Sequence, residues 1–443
     1  MKNRAMPKLV VWQIALALGL LVVLLAAHQT ATAVPDTPEA DPAWGSATKL
    51  SSTGQDPRRP RIATSPDGSH LLVVYVNESD DDPYYTMSTN QGQTWSSTVG
   101  AKIHTSVDAS AQVIGAIDQN DKAFAIWVKK ITPQQNLLVF SSKTGSANWT
   151  APVTIANSYE ITDPSVFLDQ NNKLHLVWVQ EQPAIVYYAY LASGTATWST
   201  PVSLEEEPLG DSGEPAVAVD RNGRLYLAWQ NDTASGGQEI VFSRGTLTGP
   251  LAAPVWNPEI ENTLLSPADV DIAAHVVMAL SGSQLHIAYT RKVVVEDAND
   301  KQDVFYATCS TPCDALNSDN FSSVSGGFVE VNGADPSEVV AALAVDSERS
   351  AAYMTFSGIV PTTLNPNEVI QSMQSCDGWG NGTLPHTIEY NLDYRFIKPA
   401  MAASQGWIQL VYDRIDSVST HEIFHRRAAV TCKAILLLPV IRK

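Results

Sequence analysis

Asp163-Pro-Ser-Val-Phe-Leu-Asp-Gln-Asn-Asn-Lys-Leu-His-Leu-Val-Trp178 is the stretch whose reading decides the fold. Val166 and Leu168 alternate as a first strand, Gln170 to Lys173 supplies a polar turn, and Leu174, Leu176 and Trp178 form the apolar face of a second strand, so the segment reads as a β-hairpin. The pattern returns at Glu214 to Trp229 with its proline, turn and closing aromatic in register, and looser copies end at Tyr75, Trp127, Tyr289, Phe356 and Tyr412. The closing aromatics are spaced 52, 51, 51, 60, 67 and 56 residues apart. A period near fifty residues with several strands per period specifies a propeller or a solenoid.

Working outward, each hairpin is followed by a third strand: Tyr84 to Ser88, Leu137 to Ser141, Ile185 to Tyr190, Glu239 to Ser243, Val304 to Ala307 and Val369 to Met373. Fourth, outer strands follow at Trp149 to Ile155 and Trp198 to Leu204. Trp44 to Leu50 is a similar segment with no three strands before it, and the last repeat ends on its third strand, His421 to Ala428, with no fourth after it. The two deficits complement each other. The expectation is an all-β, seven-bladed β-propeller of four-stranded antiparallel blades whose N-terminal strand closes the last blade and removes free sheet edges, with six blades as the alternative. Repeats five and six are longer, with insertions at Val293 to Asp303 and Ser357 to Glu368 expected as loops on a face of the ring.

At the N-terminus Lys2, Arg4 and Lys8 precede an apolar run from Leu9 to Ala27, and Ala31-Thr-Ala33 offers a small-residue cleavage site. Residues 1–33 therefore read as a signal peptide or, since about 20 apolar residues can span a bilayer, a membrane anchor. Residues 34–42 form a Pro, Asp and Glu-rich linker, 43–432 the repeat domain, and 433–443 a short apolar and basic tail. Export makes the chain secreted or cell-surface, touching a membrane only through the N-terminal segment if that stays uncleaved. With 46 Asp and Glu against 28 Lys and Arg the net charge is −18, which repels phosphate backbones and argues against nucleic acid as a partner. Four cysteines in an exported chain point to disulfides, preferably Cys309–Cys313 across a proline turn and Cys376–Cys432 between the last two repeats.

Ser88-Thr-Asn-Gln-Gly-Gln-Thr-Trp95 resembles the Asp-box, Ser-x-Asp-x-Gly-x-Thr-Trp, of the sialidase and BNR-repeat propellers, with Asn90 in the usual Asp position. Degenerate relatives end at Trp149 and Trp198. The residue types suit a turn: Ser88 and Asn90 can bond its backbone, Gly92 supplies positive φ, and Trp95 packs between blades. The resemblance covers residues 44 to about 428. It implies the propeller fold, with the box on the face opposite the active site. It further implies a site of three arginines that clamp a substrate carboxylate, a tyrosine nucleophile assisted by a glutamate, and an aspartate acid/base. Arg58, in Arg58-Arg59-Pro60, resembles the first arginine, and Glu214 resembles the glutamate that partners the tyrosine. Pro60 aligns with Pro164, Pro215 and Pro399. The chain departs from the family elsewhere: Ala228-Trp-Gln230 stands where a second arginine belongs, and neither Tyr390 nor Tyr394 has a nucleophile's context.

Loops before first strands and loops from second to third strands share the expected binding face. Arg59, Asp163, Asp211 and Trp379 are the candidate ligand-binding residues, Trp379 as a sugar-stacking platform or a turn anchor. Glu160, Glu205 to Glu207 and Asp335 add acidic charge there. Asp80, Asp81, Asp82, Glu296, Asp297 and Asp300 are oxygen-rich enough to hold calcium, although their spacing does not match an EF-hand and a solvated loop is the plainer reading. His175 and His286 occupy equivalent repeat positions, where Tyr226 and Leu72 stand in others, and read as packing. The favoured expectation is a monomeric, non-catalytic module that binds a glycan or a surface protein. The alternative is an exo-acting glycoside hydrolase of exo-α-sialidase type with Arg58 and Glu214 in its site.

Overall fold

The computed structural model describes residues 43–105, 108–118, 120–132, 134–205, 211–233, 236–266, 273–293, 301–323, 337–346, 351–360, 367–375, 386–389, 394–416 and 419–430. Its strands form seven four-stranded antiparallel sheets. The innermost strands are Pro57–Thr64, Ser110–Ile117, Ile161–Leu168, Ser212–Val219, Ala273–Ser281, Ser337–Asp346 and Tyr394–Ser404, taken below as blades 1 to 7. Each packs on the next, and the last returns to the first, so the ring closes. The expectation of a seven-bladed propeller is corrected. Only six blades, the number left as the alternative, consist of four consecutive strands; the remaining sheet is a composite of three C-terminal strands and Thr48–Lys49. In that composite Thr48 pairs with His425 and Lys49 with Phe424, and Leu50 N–H donates to the Ile423 carbonyl at 2.8 Å.

The outer strands are shorter or later than expected. Strand pairing occupies Val153–Ser158 and Val202–Ser203, while Trp198 makes an isolated bridge to Leu191 and Trp44 one to Ala428. The third strands are longer, as in Gln238–Thr248. Among the described residues the ends of the insertions of repeats five and six are strand and not loop, Val293 and 301–303 extending Gln284–Val293 with Lys301–Ser310, and 357–360 and 367–368 extending Ala351–Val360 with Asn367–Ser375. Extending an existing hairpin satisfies backbone groups that a free loop would leave to water.

The hairpin that set the period has Val166 opposite Leu176 and Leu168 opposite Leu174. Its turn is held by Asp169, whose Oδ1 accepts the N–H of Asn171 and of Lys173, both at 2.8 Å. Asp118 and Asp220 hold the equivalent turns of blades 2 and 4 in the same way. The core lies between blades: Phe124, Ile126 and Phe140 of one meet Ile161, Leu176 and Trp178 of the next, all buried. A half-sheet that is apolar on both faces can be buried only by neighbours on both sides, which is why the repeat must close into a ring.

The Asp-box-like turn folds as its residue types suggest. Ser88 Oγ accepts from Gly92 N–H (2.9 Å) and Asn90 N–H (3.3 Å), and Asn90 Oδ1 accepts from Thr94 N–H (2.9 Å). Gly92 has φ of 76°, and a Cβ there would stand 2.8 Å from His425. Trp95 meets the His425 ring edge-on at 4.8 Å, as Trp149 meets Tyr85 and Trp198 meets Phe140, so each tryptophan staples its blade to the preceding one. Ser88→Ala, which removes two acceptances at once, is expected to cost about 1–2 kcal/mol in urea denaturation.

Cys309 and Cys313 are bonded, after a turn at Pro312. Cys376 and Cys432 lie outside the described residues.

Candidate functional site

One irregularity recurs around the inner ring. Pairing of the first strand with the second slips by one residue, two standing opposite one, in blades 1 to 5 and 7, between Arg58 and Arg61, Ala111 and Ile114, Thr162 and Ser165, Gly213 and Ala216, Ala274 and Val277, and Ile397 and Ala400. The first residue inside each bulge has positive φ: Arg59 (54°), Gln112 (47°), Asp163 (48°), Glu214 (47°), His275 (57°) and Lys398 (49°). None is glycine, and a side-chain-bearing residue in that region costs roughly 1–2 kcal/mol. Six equivalent outliers mark a feature imposed by the repeat. Bulges re-aim side chains, and these six lie at the entry ends of the innermost strands, around one mouth of the central channel.

Their side chains form a relay. Gln112 Oε1 accepts the Asp163 N–H at 2.7 Å, and Gln112 Nε2 donates to Asp163 Oδ1 at 3.1 Å. The Asp163 carboxylate in turn accepts the Glu214 N–H. Glu214 Oε2 accepts the His275 N–H at 2.8 Å and lies 2.9 Å from His275 Nδ1. The N–H groups of the bulge residues Asp163, Glu214 and His275 are thus each satisfied by the side chain of the preceding blade.

Charge is segregated around the mouth. Burial, then the Glu214 charge, raises the Asp163 carboxyl above its ordinary value. Burial also works against Glu214, but the His275 hydrogen bonds and charge outweigh it and hold Glu214 below the ordinary range. His275 is raised, first by its bond to Glu214 and against the effect of burial. Glu181 stands behind them, raised by burial and then by Glu160 and Asp211. Opposite lie Arg59, Arg61 and Lys398. All three reach solvent, yet protein walls them closely enough that desolvation, followed by mutual repulsion, lowers the charge affinity of Arg61 and Lys398. Side chains that are open to water but crowded by protein on every side line a channel. Among the described residues none of these three has a carboxylate within ion-pair distance.

The sequence-derived candidates divide accordingly. Arg59, Asp163 and Glu214 stand in the ring. Arg58 turns away, its guanidinium donating to both oxygens of Asp56 at 2.9 and 3.0 Å and lying 3.5 Å from Glu78. Asp211 is exposed on the acidic flank. Asp80 and Asp82 each lie 2.8 Å from Lys102 Nζ, and Asp80 also accepts from Asn77 Nδ2 and Tyr84 Oη, so an ammonium fills the position imagined for calcium; Asp81 is exposed beside them. Trp379, Glu296, Asp297, Asp300 and Asp335 lie outside the described residues. Sequence reasoning passed over Gln112, His275, Lys398 and Arg61. A signal was present: four bulge residues directly precede the aligned prolines Pro60, Pro164, Pro215 and Pro399, and all four are charged.

No family model matches the chain, and no curated protein matches it in sequence. Solved structures do. The ulvan lyase of polysaccharide lyase family PL25, bound to -[GlcA(1-4)Rha3S]-, superposes with a TM-score of 0.57 at 10% identity over 85% of this chain and 94% of that one. The BP39L lectin of Burkholderia pseudomallei superposes with a TM-score of 0.51 at 12% identity over 83% and 98%. A Hadza microbial sialidase gives a TM-score of 0.46 at 11% identity over 81% and 76%. At these identities the likeness is one of fold: the chain is a β-propeller distantly similar in structure to carbohydrate-active enzymes and to a lectin.

Proposed function

We propose that this exported chain is a glycan-binding propeller and that its ligand sits at the channel mouth on Arg59, Gln112, Asp163, Glu214, His275 and Lys398. The observation that carries the reading is the bulge ring, which sets the donors of Arg59 and Lys398 and the acceptors of Asp163 and Glu214 around one opening, with Gln112 supplying both kinds. Sugars present dense hydroxyls that need both kinds of partner, held on a rigid frame. The neighbours support the reading, since the ulvan lyase holds an oligosaccharide and the Burkholderia protein is a lectin.

A second reading, glycoside cleavage, has one observation in its favour. Asp163 and Glu214 sit on adjacent blades and their proton affinities are pushed in opposite directions, which is how one carboxyl serves as acid while another stays ionised. Glu214 is held by His275 and not by a tyrosine, unlike the family it resembles. A glycan array followed by a fluorogenic glycoside panel tests both readings on the purified chain and on Asp163→Asn. Binding that weakens at least tenfold in the variant, without turnover, is the expected result. Turnover lost in the variant would establish cleavage, and array signals indifferent to Asp163 would overturn the placement of the site.

A further inference from the structure

The carboxylates that hold the inner hairpin turns form a series with one member out of line. Asp118, Asp169 and Asp220 each use Oδ1 on two turn N–H groups. Their other oxygens differ. In blade 3 Asp169 Oδ2 lies 3.4 Å from His175 Nε2, in blade 4 Asp220 Oδ2 accepts from Tyr226 Oη at 3.0 Å, and in blade 6 Asp346 Oδ2 accepts the Gly406 N–H at 2.6 Å. Phe167 pairs with His175, Ala218 with Tyr226 and Ala116 with Phe124, so blade 2 carries a phenylalanine where blades 3 and 4 carry a donor. Asp118 is only 5% exposed, and among the described residues its Oδ2 has no hydrogen-bond partner. A buried carboxylate oxygen without a donor is costly to keep.

Asp118 lines a cleft of about 230 Å³ between blades 2 and 3, with Asn120, Lys122 and Phe124 on its own side and Asn172 and Ser193 across from it. The turn follows the exit end of the first strand, so the cleft is on the face opposite the bulge ring. Its volume is several times the share of one water, roughly 30 Å³, and below the range of about 300–1,000 Å³ that drug-sized ligands take, which leaves room for one sugar ring. Lys122 Nζ stands 5.2 Å from the centre of the Phe124 ring, with no carboxylate within ion-pair distance among the described residues.

We infer that this cleft is a second sugar site, which takes one neutral sugar residue with one hydroxyl donating to Asp118 Oδ2 and another accepting from Lys122. It stands apart from the channel mouth and does not rest on the reading given for it. Charge selects the ligand class. An oxyanion would meet the Asp118 carboxylate and an ammonium group the Lys122 cation, while one carboxylate and two amides fall short of the six to eight oxygens that calcium takes. A hydroxyl both donates and accepts, and the Asn120 and Asn172 amides offer both kinds of partner in return.

Phe124→Tyr closes the site from within. Tyrosine there reproduces the Tyr226–Asp220 pair of blade 4, so its hydroxyl caps Asp118 and occupies the cleft, and the variant is expected to melt at or above the temperature of the parent. Lys122→Met removes the second partner at a solvent-reaching position and decides the matter if the tyrosine is not accommodated. Saturation-transfer NMR would compare glucose, galactose, fucose, N-acetylglucosamine, sodium glucuronate and methylammonium chloride on the parent, on these two variants and on Asp163→Asn. For at least one neutral sugar the signal is expected to fall at least fivefold in both cleft variants and to stay within twofold in Asp163→Asn. That pattern for every sugar that binds would keep the cleft and sink the mouth. Sugar signals lost only in Asp163→Asn would sink the cleft and leave the mouth standing. No sugar signal, or signals unchanged in both cleft variants, would mean that water alone fills the cleft and would overturn the site. A glucuronate or methylammonium response that exceeds every neutral sugar and disappears in Phe124→Tyr would overturn the assignment to a neutral sugar.

Discussion

Lowering the pH from about 7.5 to about 4.5 is expected to remove about 5 kcal/mol of folding stability through two buried histidines alone, at about 1.36 kcal/mol per pK unit for each. His286 is held down to about 4 by burial, and His425 to about 3 by burial and then by the Arg427 charge. Both side chains are used neutral: His286 Nδ1 lies 2.6 Å from Tyr306 Oη, and His425 Nε2 lies 2.9 Å from Gln409 Oε1 with Trp95 against its ring. A depressed histidine means that the unfolded chain binds the proton first. Stability is therefore complete above the unfolded value of about 6.5 and falls as the pH drops from there toward the folded values. Glu214, Asp169 and Glu422, held below their ordinary range, add losses at still lower pH; Asp163, Asp413 and Glu205, held above it, give back part of the loss as they protonate in the fold. The double variant His286→Leu, His425→Gln isolates the histidines, leucine being the residue this chain itself uses at the equivalent Leu72. Urea denaturation at both pH values should show a loss smaller by about 5 kcal/mol in the variant. Equal losses in the two proteins would mean that neither histidine is kept neutral by the fold.

The ring was legible in the sequence because its landmarks are local and repeated. A proline, a polar turn and a closing aromatic at a period near fifty residues set the strand order, and the complementary deficits at the two ends located the composite sheet. The outer strands were misplaced because their tryptophans are apolar for another reason: Trp149 and Trp198 pack across blade boundaries ahead of the paired residues. Part of the bulge ring proposed as the site was legible too, since Arg59, Asp163 and Glu214 were candidates from the sequence. The choice of Arg58 over Arg59 followed from treating the first strand as regular, since alternation alone cannot show that two residues stand opposite one. Gln112 and His275 precede valines and not prolines, so the proline alignment passes them by. Lys398 was visible before Pro399, but its meaning depends on Arg59 and Arg61, more than 330 residues away in sequence and adjacent only once the ring closes.

Those same landmarks join the core to the mouth. In blade 3 Thr162 pairs with Val179 and Ser165 with Val177, so Asp163 and Pro164 together lie opposite Trp178. Tyr75, Trp127, Trp229, Tyr289 and Tyr412 stand opposite the other five bulges by the same register. All six aromatics are buried at 1% exposure or less. We expect the large rigid ring opposite the two residues to hold the bulge open and to aim its first side chain. Trp178→Ala should therefore show two effects. It empties a site packed by Ile161, Leu174, Leu176 and Leu191, with Tyr187 stacked at 6.0 Å, and is expected to cost about 4 kcal/mol. In the surviving folded fraction the bulge can relax toward a regular pair, withdrawing Asp163 from Gln112 and weakening glycan binding at least tenfold. Trp178→Phe keeps a ring opposite the bulge, so it should lose about 1–2 kcal/mol of packing while leaving binding within twofold. Denaturation curves and titrations on the same preparations decide the matter. Loss of stability in Trp178→Ala with affinity intact would show that the strand backbone sets the bulge without the aromatic, whereas affinity that follows the presence of a ring would show that the residue closing each hairpin also aims the functional side chain.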